Sequence, residues 1–152
     1  MAPGTGTRPS QMVARGVVRH CARCGGGHLF SSWFHLRERC PTCGMRFERE
    51  EGFWLGGYVI NFATGEGALL VLLAVLIGYE ANGVHVHAWP FVVIGLLIAV
   101  GGPALTFPYS RTVWSALDLI MRPLTPEEVV QAQAAVATAA ISTPPSQPPR
   151  PA

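Results

Sequence analysis

Two apolar runs, Val59 to Tyr79 and Trp89 to Phe107, constrain this chain more than any other feature. At ~1.5 Å per residue they extend ~31 Å and ~28 Å, the hydrocarbon thickness of a bilayer. The 152-residue chain is too short to cover two helices that are apolar all round, so they are expected to face lipid rather than a protein interior. Only 13% of the residues are charged, about half the ordinary share, and the net charge of +2 gives no bulk attraction for nucleic acid.

The flanks define a hairpin. Trp54 and Tyr58 precede the first run and Tyr79 closes it; Trp89 opens the second, and Tyr109 and Trp114 follow, as in an aromatic belt. All eleven basic residues are arginine. Arginines precede the first run and follow the second, with none between residues 80 and 88, so the positive-inside rule puts both termini in the cytoplasm. The N-terminal segment has no apolar core of the signal-peptide kind, so the first run is expected to act as an uncleaved anchor.

Residues 1–15 read as a polar, disordered arm and residues 16–52 as a small cytoplasmic domain. The membrane hairpin occupies 53–108. Residues 109–123 form an amphipathic segment expected to lie in the headgroup plane, with Val113, Leu117, Ile120 and Met121 on its apolar face; the alternative is a continuation of the second span into water. Over 124–152, Thr125 and Glu128 promise a capping box and a short Ala-rich helix to about Ile141, before a Pro-rich disordered tail.

Cys21, Cys24, Cys40 and Cys43 form two C-x2-C pairs fifteen residues apart. Two intervening residues let both sulfurs of a tight turn face one ion, and Gly25 and Gly44 permit the positive φ such turns need. Two pairs supply the four soft ligands of a closed tetrahedral zinc site, a zinc ribbon built on short β-hairpins. One structural zinc ion is the expected cofactor, with iron as the competing occupant; stable disulfides do not suit a cytoplasmic site. His20, His28 and His35 are read as surface residues. Arg37, Arg39, Arg46 and Arg49 alternate with Glu38, Glu48, Glu50 and Glu51, which breaks any basic stripe. The ribbon is therefore expected to lie on anionic lipid rather than bind nucleic acid. His85 and His87 in the outer loop lack a third ligand and are read as solvated.

The remaining anomaly is Glu66, ~10 Å inside the first span by helical rise. An ionised carboxylate there costs about 2 to 3 kcal/mol, so the protonated form is cheaper and needs an acceptor. Pro103 should kink the second helix and free the Ala99 carbonyl at that depth, with Gly101 and Gly102 allowing close approach. Glu66 then either clasps the two helices, or meets another membrane protein or a second copy with Asn61 and Thr64 as accessories, or transfers a proton within an oligomer.

The ordered combination of C-x2-CG, aromatic hairpin, CPxCG, "FEREEGFWLG", "INF" before Glu66 and "FPYSRTVWSALDL" resembles a bacterial membrane family catalogued as domain of unknown function 983. The resemblance covers roughly His20 to Pro123 and implies a small inner-membrane protein with a cytoplasmic zinc ribbon and two spans. It implies no activity. Gly65 departs from the pattern, which would place a small hydroxyl residue before the glutamate. No activated nucleophile, close carboxylate pair or phosphate-binding loop is present, so a non-enzymatic adaptor or assembly accessory is the expected function. An oligomeric ion or proton transporter using Glu66, or a thiol or zinc sensor using the cysteines, is the alternative.

Overall fold

The computed structural model describes residues 7–142. Its element order is α1 (Pro9–Val17), β1 (Phe30–Ser32), β2 (His35–Leu36), α2 (Trp54–Ala81), α3 (Ala88–Met121) and α4 (Pro126–Ser142). The expected arm and tail are described only in part, since residues 1–6 and 143–152 lie outside the described residues. The rest of the expected arm is not polar coil. Pro9 occupies the first turn of α1, where its missing N–H costs nothing, and the Gln11 side chain accepts the Arg8 N–H.

α2 and α3 pack antiparallel. The pairing runs from Gly56 against the Trp114 ring, through Asn61 against Pro103 and Thr106, to Tyr79 against Phe91. A Cβ on Gly56 would fall 2.3 Å from the Trp114 ring, so glycine is what permits this approach. Gly101 and Gly102 play no such part. A Cβ at Gly101 would meet nothing within 4 Å, and one at Gly102 only its own helix. They line an open apolar groove of about 320 Å³, with Thr64, Gly65 and Ala68 opposite.

The amphipathic segment expected in the headgroup plane is instead the last third of α3, which runs unbroken through Pro103 and Pro108. Pro108 removes the N–H that would bond the Ala104 carbonyl. The Trp33 indole N–H, at the tip of the β1–β2 hairpin, donates to that carbonyl at 2.8 Å, and Phe34 packs on Phe107 at 5.4 Å between ring centroids. Leu119 apart, the buried residues of this stretch are also not the large apolar ones. They include Ser110, Thr112, Ser115, Ala116, Asp118 and Leu119, mostly small side chains that admit close neighbours.

One neighbour is α1. The Thr112 hydroxyl donates to the Gly16 carbonyl at 2.6 Å, and a Cβ at Gly16 would lie 2.9 Å from the Thr112 carbonyl oxygen. The other neighbour is the cysteine-bearing segment. Cys21, Ala22, Leu29, Cys40, Met45 and Phe47 form one buried cluster with Ala116 and Leu119 of α3. α3 is thus both half of the apolar hairpin and the floor on which residues 9–49 are built.

α4 closes the body from the other side. The Thr125 N–H donates to Glu128 at 2.8 Å and the Glu128 N–H to the Thr125 hydroxyl at 3.3 Å, a reciprocal cap. Ala132 is 1% exposed, and a Cβ at Gly44 would lie 2.0 Å from the Ala132 carbonyl oxygen, so α4 sits directly on the second cysteine turn.

Candidate metal centre

Both C-x2-C segments fold as the same turn. The Gly25 N–H bonds the Cys21 carbonyl at 2.8 Å and the Gly44 N–H bonds the Cys40 carbonyl at 2.9 Å. Both glycines have φ in the left-handed region, +77° and +70°, where a side chain would clash. The chain leaves each turn by returning a hydrogen bond to the first cysteine, Cys21 N–H to Gly26 and Cys40 N–H to Met45. An arginine straps each turn from outside. Arg15 of α1 donates to the Ala22 and Arg23 carbonyls at 3.2 Å, and Arg39 to the Gly44 carbonyl at 3.2 Å.

The turns bring all four sulfurs within 4.8 Å of one another. Cys21 and Cys43 are 3.8 Å apart, Cys24 and Cys40 3.7 Å. A tetrahedral ion with ~2.3 Å bonds to sulfur requires sulfur–sulfur edges of ~3.8 Å, so these spacings suit a metal ion and are far too long for a disulfide. The Gly26 N–H lies 3.3 Å from the Cys24 sulfur, a donor of the kind that stabilises a thiolate. The thiols divide chiefly through one another. The hydrogen bond from Cys21 draws Cys24 down to about 7, while Cys21 is pushed up by its contacts with Cys24, Cys40 and Cys43 and further by burial. Four sulfurs this close resist ionising together unless a cation sits among them.

The centre is enclosed by the rest of the body. Arg49 lies in the interleaved charge run without any local sign of importance, and it is the hub. It donates to Asp118 of α3 at 3.0 Å, to both oxygens of Glu128 of α4 at 2.7 and 2.9 Å, and to the Arg122 carbonyl at 2.7 Å. The Arg49 hydrogen bond holds the Glu128 carboxyl below its ordinary 4.5. A lowered carboxylate pKa stabilises the fold above the ordinary value, and that contribution is lost as pH falls through the lowered one. Acidification to below the ordinary carboxylate range is therefore expected to loosen α4 before the helices of the hairpin, read as faster amide exchange over 126–142.

The polar residues of the apolar helices are arranged differently from expectation. Asn61, 8% exposed, makes the clasp: its amide donates to the Pro103 carbonyl at 3.1 Å and its oxygen meets the Thr106 hydroxyl. Thr64 donates to Ile60 of its own helix. Glu66 does not reach the Ala99 carbonyl. It is exposed, and among the described residues it has no hydrogen-bonding or ionic partner. It stands in a stripe of exposed apolar side chains, with Phe62 one turn before it and Leu70 one turn after. In the loop between α2 and α3, His85 pairs with Glu80 at 3.3 Å, and the only group of metal-ligating side chains among the described residues is the cysteine quartet.

α2 and α3 are long and apolar enough to cross a membrane, and their most apolar windows are 6% and 0% buried. The core helix of a soluble protein would be mostly covered. Aromatic residues mark both ends of the pair: Tyr58 and Tyr79 are ~31 Å apart along α2, and Trp89 and Tyr109 ~30 Å apart along α3.

The sequence profile of a family described as a protein of unknown function (DUF983) matches residues 30–118. The match runs from the hairpin to Asp118 and leaves α1, the first cysteine pair and α4 outside. No curated protein and no solved structure shows significant similarity to the chain. With more than half its length matched, and with four clustered cysteines and two long apolar helices in place, the chain belongs to the DUF983 family.

Proposed function

We propose that this chain is a non-enzymatic, two-span protein of the cell (inner) membrane that acts as an adaptor or assembly accessory for a membrane complex. Its cysteine centre holds one structural zinc ion: four thiolates satisfy zinc's preference for soft tetrahedral ligands and leave no position open for water or substrate. The arginine distribution supports cytoplasmic termini, with the ribbon, α1, the end of α3 and α4 forming one cytoplasmic body.

The observation that carries the adaptor reading is Glu66. The helix pair meets its own polar needs through Asn61 and Thr106, and the carboxyl faces outward from an apolar stripe. Ionised and facing lipid alone it costs about 2 to 3 kcal/mol; a donor on a neighbouring membrane helix offsets that cost with a hydrogen bond. Glu66 is therefore the group that addresses a partner within the bilayer.

Affinity purification from native membranes in mild detergent, wild type against Glu66→Gln, tests this. One membrane complex is expected with wild type, its recovery falling about tenfold with glutamine, which keeps the shape and loses the acid. Equal recovery from both, or no complex from either, sinks the adaptor reading and leaves a self-contained oligomer moving protons through Glu66 as its successor.

A further inference from the structure

The arginines of the described chain divide by what satisfies them. Arg49 and Arg122 pair with carboxylates, and Arg15 and Arg39 bond the carbonyls of the cysteine turns. Arg8, Arg19, Arg23, Arg37, Arg46 and Arg111 have no carboxylate within ion-pair distance among the described residues, and Arg19 and Arg111 stand apart from the rest of these. Both lie against aromatic rings at one end of the helix pair. The Arg111 guanidinium is 4.1 Å from the Trp54 ring centre, 4.7 Å from Phe107 and 5.6 Å from Tyr58. Arg19 sits 5.3 Å from both Trp33 and Tyr109.

Arg19 reaches its rings at a conformational cost. It follows the end of α1 with φ +59°, the left-handed position where helices usually place glycine or asparagine. A long cationic side chain in that position is held there by what it contacts. The neighbouring surface is apolar and exposed: Val17 and Val18 just before it, Phe34 at the hairpin tip, and Leu55 and Tyr58 at the start of α2. The opposite end of the helix pair has aromatic residues but no arginine or lysine from residue 80 to 110.

We infer that Arg19 and Arg111 form a ring-backed site for the phosphate of anionic phospholipids at the cytoplasmic end of the hairpin, an inference that rests on the membrane reading above. Arg111 donates one long bond, to the Tyr58 hydroxyl at 3.4 Å; its other N–H groups and those of Arg19 remain to form the fork that matches two oxygens of a phosphate. The rings hold the cation at the depth of the headgroups, while Val17, Val18 and Phe34 enter the acyl boundary. The site then fixes both the depth and the orientation of the hairpin.

The test is native mass spectrometry of the full chain in neutral detergent, supplied with phosphatidylglycerol and phosphatidylcholine in equal amount. Wild type is expected to retain phosphatidylglycerol about tenfold over phosphatidylcholine. Arg19→Gln with Arg111→Gln should bring the ratio near parity, while Arg37→Gln with Arg46→Gln, exposed arginines of the ribbon, should leave it unchanged. Metal content per chain and helicity report whether each variant is folded. If the glutamine pair misfolds, the paired lysine substitutions, which keep charge and lose the fork, should still lower the ratio severalfold. No preference in wild type, or equal loss in both pairs, overturns the site. Excess inorganic phosphate should not displace the lipid; displacement would assign the arginines to a soluble phosphate instead. A chain that stays in solution without detergent defeats the membrane reading itself, whereas a detergent-requiring chain without preference defeats only this site.

Discussion

Removing the metal, by chelation or by Cys40→Ser, is expected to unfold the segment between α1 and α2 and to set α4 free, while α2 and the part of α3 packed along it stay helical. The folding energy of so small a segment is concentrated at the centre. Its buried apolar side chains are few, chiefly Leu29, Met45 and Phe47 beside Cys21 and Cys40, too small a core to hold alone. A structural zinc site contributes about 10 to 16 kcal/mol, far more than that core. α4 follows because it is seated on the second cysteine turn, with Ala132 over Gly44, and its other tie, Glu128 to Arg49, reaches back to the same cysteine-bearing segment. Hydrogen exchange should show protection lost together over residues 20–48 and 126–142. Protection that survives in the metal-free chain contradicts a structural role for the cysteines.

Arg49→Ala should be the most damaging single change outside the cysteines. Its guanidinium is 13% exposed and its partner Asp118 10%, so truncation leaves a largely buried carboxylate without its counter-charge. Breaking a buried pair costs about 3 to 5 kcal/mol; the 28% exposure of Glu128 puts this one near the lower figure. Arg49→Lys restores one donor but not the fork that spans α3 and α4, and should recover only part of the loss. The Arg122–Glu50 pair is the contrast. At 59% and 64% exposure it is solvent-screened, and Arg122→Ala should shift stability little. A double-mutant cycle between positions 49 and 128, read on the exchange of α4, separates the pair from general disruption.

What could be read from sequence was what local spacing encodes. Cysteines two residues apart with a following glycine specify the turn by themselves, and Thr125 with Glu128 specifies the start of α4. The features missed depend on residues far apart in the chain. Pro108 reads as the end of a span, yet the helix continues because Trp33 takes up the carbonyl that the proline frees. α1 was hidden in a Gly- and Pro-bearing arm, since Gly16 gains its meaning only against Thr112. Arg49 looks like its neighbours Arg37 and Arg46 until Asp118 and Glu128 arrive from the other end of the chain. Within the apolar helix pair the clasp is made by the amide and not by the carboxylate: Asn61 is buried between the helices because it lies on the face toward Pro103 and Thr106, and Glu66 points away.

That outward carboxylate is the basis of the proposed function, and the most direct measurement leaves it intact. A photo-crosslinking amino acid at Leu70, exposed one turn from Glu66 on the same stripe, can be activated in native membranes and its adducts identified by mass spectrometry. An adaptor gives an adduct with one membrane protein, lost when Glu66→Gln is added to the same chain. Adducts with lipid alone, or a protein adduct indifferent to Glu66→Gln, would contradict the assignment of Glu66 as the point of contact.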